Sequence, residues 1–78
     1  MNLFRVYLKG QYLKTCLTQT EAERYCDRKA FEMMPPQYIG SAQQFKSEEF
    51  HIKMVKTTGK DKKTVTDQIY VARLMVKR

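Results

Sequence analysis

One segment limits the whole chain: a single helix with one apolar side and no comparable second helix to cover it. Thr18-Gln19-Thr20-Glu21 is a capping box, in which the threonine hydroxyl takes one free backbone N–H and the glutamate reaches back to another. Ala22, Tyr25, Cys26, Ala30 and Met33 recur at helical spacing on one stripe, while Glu23, Arg24, Asp27, Arg28 and Glu32 fall mostly on the other side. Leu17 before the cap and Ala22 after it are placed for a hydrophobic staple, and Pro35-Pro36 stops the helix. A stripe of this kind has to be buried, and the economical cover is one face of a sheet.

Strands are available on both sides. Residues 2–17 read as a hairpin, with β-formers from Leu3 to Leu8, a two-residue turn at Lys9-Gly10 and a return from Gln11 to Leu17. If Leu8 pairs with Gln11 and the ladder continues without a break, Tyr7 faces Tyr12, Val6 faces Leu13, Arg5 faces Lys14 and Leu3 faces Cys16. Alternation then gathers Phe4, Val6, Leu8, Leu13 and Leu17 on a core face, and Leu3, Arg5, Tyr7, Tyr12, Lys14 and Cys16 on the other. Residues 49–78 read as a second hairpin. Phe50, Ile52 and Met54 alternate with His51, Lys53 and Val55, residues 57–64 form the loop, and Gln68 to Lys77 is one long strand. Both faces of that strand are largely apolar, which places it centrally or under a partner. Between helix and second hairpin, residues 34–48 form an extended connector pinned by Tyr38, Ile39 and Phe45, with one short helical turn open as an alternative at Ser41-Ala42-Gln43-Gln44.

The expected fold is therefore α+β: a small single domain spanning 1–78, in ββαββ order. An antiparallel sheet of about four strands carries one helix packed across one face. Strand order is left open by the sequence.

Size and composition restrict the chemistry. Seventy-eight residues with 42% hydrophobic content suffice for one core, but not for an active-site cleft with its own walls. No apolar run is long enough to span a membrane, and Arg5 and Lys9 break up the start as a secretory signal, so a cytoplasmic protein is expected. Cys16 and Cys26 make no C-x-x-C pair and read as reduced thiols; with His51 they give three scattered ligands, too few for zinc. A single histidine, isolated glycines and carboxylates set beside lysines offer no catalytic constellation. The chain is thus expected to be non-catalytic, without cofactor or metal.

Charge is the positive signal. Fifteen Lys and Arg against eight Asp and Glu give +7. Residues 1–39 hold six basic and four acidic side chains, and residues 40–78 hold nine and four, so most of the excess lies in the second half. Such a balance favours a polyanionic partner. The helix-free sheet face would present Arg5, Tyr7, Tyr12 and Lys14, joined by Lys53 and Arg73, where bases stack on tyrosine and cations neutralise phosphate. Lys56, Lys60, Lys62 and Lys63 around the second hairpin's loop would contact the backbone. A nucleic acid, DNA or RNA, is the leading expected partner. The alternative is a protein-interaction module, an inhibitor or adaptor for an acidic partner, or a homodimer. It would use the apolar face of the last strand, Ile69, Val71 and Met75, or an exposed strand edge. In layout the chain resembles small single-domain accessory proteins of phages and mobile elements, a likeness that covers no motif and transfers no residue.

Overall fold

The computed structural model describes residues 2–58 and 61–76. Strands β1 (Asn2–Leu8) and β2 (Gln11–Cys16) form the first hairpin, followed by helix α1 (Gln19–Met33) and a 3₁₀ turn at Pro36–Tyr38. Then come β3 (Phe45–Lys46), β4 (Phe50–Thr58), β5 (Asp61–Tyr70) and β6 (Arg73–Leu74). The main sheet is antiparallel with the order β2-β1-β4-β5, and β3 pairs with β6 in a second, two-stranded sheet. The helix packs against the main sheet, as the α+β reading expected.

Local chemistry explains the helix and its neighbouring turn. The Glu21 amide donates to Thr18 Oγ1 at 3.1 Å, and Glu21 Oε2 accepts from the Leu17 amide at 3.3 Å, so the reciprocal bond of the box falls one residue early. The staple is not made: Leu17 is 63% exposed while Ala22 is fully buried. Ala22, Cys26 and Ala30, one turn apart, meet Val6, Phe50, Ile52, Cys16 and Ala72 in the core. Small helix residues there let the backbone of α1 approach the sheet closely. Met33, on the expected stripe, is exposed, and Met34, where the chain leaves the helix, is buried in its place. In the β1–β2 turn Lys9 (φ 53°) and Gly10 (φ 78°) are both left-handed, as a tight primed hairpin turn requires.

Three expectations about pairing are corrected. First, the β1–β2 ladder holds Tyr7 opposite Tyr12 and then shifts, so that Val6 lies opposite Lys14, Arg5 opposite Thr15 and Phe4 opposite Cys16. Leu13 is the extra residue of a bulge, and Arg5 does not face Lys14. Second, residues 57–64 are not one loop, since β4 runs to Thr58 and β5 starts at Asp61. Third, the long strand expected from Gln68 to Lys77 is broken. Its front part belongs to β5, which is an edge strand and not a central one, and Arg73–Leu74 leave to pair with the connector.

That departure is held by backbone chemistry. Ala72 is fully buried, so its N–H and C=O need partners. Ser47 supplies both: its Oγ accepts from the Ala72 amide and its own amide donates to the Ala72 carbonyl, each at 2.9 Å. The Gly40 amide donates to the Val76 carbonyl at 3.0 Å, extending the clasp. Tyr38 meets Phe45 edge to face at 5.2 Å, and Phe45 packs on the core, whereas Ile39 is exposed. The connector is therefore a second sheet edge with no helical turn at 41–44. Among the described residues no helix is long and apolar enough to cross a membrane.

Candidate nucleic-acid interface

The helix occupies the side of the sheet that carries Val6, Phe50 and Ile52. Alternation turns Leu3, Arg5 and Tyr7 of β1 and His51 and Lys53 of β4 to the opposite side. The registers then align two rows across the strands. One runs Tyr12, Tyr7, His51, Ile69 from β2 to β5; the next runs Thr15, Arg5, Lys53, Asp67.

Contacts within the rows are specific. The Tyr7 and Tyr12 rings pack edge to face, with centroids 5.8 Å apart and planes at 63°. Lys53 Nζ lies 5.0 Å from the Tyr7 centroid, within range of a cation–π attraction. The Tyr12 and Thr15 hydroxyls are 2.7 Å apart and share a hydrogen bond. Asp67, the one carboxylate in these rows, is engaged by His51, whose Nδ1 is 3.0 Å from Asp67 Oδ1. Among the described residues no carboxylate pairs with Arg5 or Lys53. The outcome is an aromatic pair, about half exposed at Tyr12, beside two cations without an internal counter-ion.

Four of the expected residues thus come together: Arg5, Tyr7, Tyr12 and Lys53. The others do not join them. Lys14 is turned to the helix side by the bulge, where its Nζ lies 5.4 Å from the Tyr25 centroid. Cys16 goes with it and is buried as a core residue, not presented on the open face. Lys56 is opposite Lys63 in the β4–β5 ladder, and parity puts both on the side of Ile52, away from the tyrosines. Lys62 pairs through its backbone with Thr57, and Lys60 lies outside the described residues. Arg73 is opposite Lys46 in the second sheet. Of the apolar set, Ile69 reaches the open face and is 60% exposed, Val71 is half-buried in the break after β5, and Met75 lies beyond β6, so the three share no strand face.

Sequence reading missed Asp67 as the partner of His51, because that contact depends on the β4–β5 register. The two thiols are free and buried. Burial pushes the Cys26 thiol up to about 12, with Asp27, Cys16 and Glu23 adding to the effect. Among the described residues no group of three His, Cys, Asp or Glu is placed to hold a metal ion.

The architecture defines a small α+β domain in which, among the described residues, no helix covers one face of the main sheet. Compared with known proteins, the chain matches no family model, no curated protein and no solved structure.

Proposed function

We propose that this domain is a non-catalytic module that binds nucleic acid on its helix-free sheet face. The observation that carries the reading is the Tyr7–Tyr12 ring pair flanked by Arg5 and Lys53, none of the four engaged by a described carboxylate. Tyrosine faces accept bases whatever their sequence, and neighbouring cations neutralise the phosphates between them. The excess of +7 adds long-range attraction for a polyanion.

Fluorescence anisotropy with labelled single- and double-stranded oligonucleotides, repeated over a range of salt, tests this. Binding through several cations makes log K fall linearly with log salt. Absence of any anisotropy change at micromolar protein in low salt would discard the proposal. If binding is present, Tyr12→Ala should weaken the single strand by about 1–3 kcal/mol, the worth of one stacked base.

A second reading, a protein partner, is favoured by a different observation. β5 is the outer strand and its residues Lys63 to Ile69 are all exposed, including Val65 and Ile69. An extended peptide or a second copy would add there by strand pairing. Analytical ultracentrifugation of the chain alone and with an oligonucleotide separates self-association from nucleic-acid binding.

A further inference from the structure

Lys14, Arg24, Arg28 and Tyr25 line a cleft of about 250 Å³ at the seam between β2 and α1, with Cys16 and Glu21 completing its wall. Arg24 and Arg28 stand one helical turn apart and rise from the same side of α1. Lys14 arrives from the sheet, because the Leu13 bulge turns it to the helix side. All three cations are exposed, and none forms an ion pair among the described residues. Glu21 is the one carboxylate in the cleft wall, and its Oε2 accepts from the Leu17 amide. Cys16 adds no charge: burial raises its thiol pKa, with Lys14 pulling it down and Glu21 pushing it up. Three cations against one carboxylate leave two positive charges facing a space of small-molecule size.

We infer that this cleft binds a phosphate monoester. Such a group carries about −1.5 to −2 charge near neutral pH and three acceptor oxygens, matching the excess in the cleft and the forked donors of two arginines. An internal phosphodiester offers a single charge. The cleft is distinct from the Tyr7–Tyr12 face and its assignment does not rest on the nucleic-acid reading. The two sites are nevertheless neighbours, since Tyr12 and Lys14 leave the same edge strand on opposite sides. A strand end passing over that edge and a free phosphate ester present the same chemical group.

Amide NMR of the intact chain, titrated with inorganic phosphate at constant ionic strength, is the test. Saturable shifts confined to residues 14–16 and 21–28 are expected. Arg24→Gln and Arg28→Gln, both at exposed helix positions and checked for folding by circular dichroism, should each weaken binding about tenfold, one charge-assisted bond's worth. Lys46→Gln, on the second sheet, should leave it unchanged. Lowering the pH through about 6 should weaken phosphate but not sulfate, because phosphate gains a proton there. A parallel loss of sulfate would show that the weakening does not follow the phosphate's own protonation and would overturn the monoester assignment. A 5′-phosphorylated oligonucleotide that outbinds its 5′-hydroxyl form, with the gain lost in the double arginine variant, assigns the group to a strand end. Equal binding of the two oligonucleotides, with inorganic phosphate still bound, assigns it to a free ester. No saturable response to either phosphate or the phosphorylated oligonucleotide, or an equal response in the double variant, overturns the inference.

Discussion

Two side chains under the helix report on the packing of α1 against the sheet. Tyr70 donates its hydroxyl to Asp27 at 2.8 Å, joining the end of β5 to the middle of α1. Burial, and that bond to a carboxylate, hold its phenol well above the usual tyrosine range. Tyr70→Phe leaves Asp27 without its donor and should cost about 1–2 kcal/mol, read as a lower urea midpoint with unchanged slope. Cys26 gives a pH test. Its thiol moves from 9.0 to about 12 on folding, so the unfolded chain releases the proton first. Stability is therefore fully present below about pH 9 and falls by up to about 1.4 kcal/mol per pH unit as pH rises toward 12. Denaturation midpoints measured between pH 8 and 10.5 should fall more steeply for the native chain than for Cys26→Ala.

Among the elements, the helix was legible in the sequence because its signals are local: the cap, the stripe and the prolines all act within a few residues. Thr18→Ala removes the acceptor for the Glu21 amide and should lower stability by about 1 kcal/mol, visible as reduced helical ellipticity on mild heating. The first hairpin was legible as far as its turn and the Tyr7–Tyr12 pair, which a two-residue turn dictates. Beyond that pair, an unbroken ladder and a bulged one satisfy the same alternation, since Leu13 packs on the core in either. Lys14 and Cys16 were therefore assigned to the wrong face. Alternation equally concealed the break after Tyr70. The apolar pattern continues through Val71 and Ala72, and only the Ser47 clasp, 25 residues away, reveals that the chain changes sheets.

At the scale of the molecule, strand order decides what is bare. The chain measures 49 × 20 × 15 Å, and its helix packs over β1, β2 and β6, leaving β5 as an outer strand on the far side. No local signal distinguishes β2-β1-β4-β5 from other orders, and the two apolar faces of the last strand point equally to a central place or to cover by a partner. Alternation along the strands separates the basic residues: Arg5 and Lys53 share the open face, while Lys56 and Lys63 lie on the helix side. If the open face is the binding surface, Arg5→Gln and Lys53→Gln should each reduce the salt slope for a single strand by about 0.7, one phosphate contact, whereas Lys63→Gln should change it less. Anisotropy titrations at four or five salt concentrations measure this directly.

The Leu13 bulge makes strand register, more than residue identity, the carrier of this surface. Substitutions along β2 alter one side chain at a time. Closing the ladder in simple alternation with Leu13 retained would set Leu13 opposite Val6 and move Lys14 and Cys16 together from the helix side to the tyrosine side. A thiol would leave the core, a cation would leave the Arg24–Arg28 cleft, and both faces of the domain would change in one step.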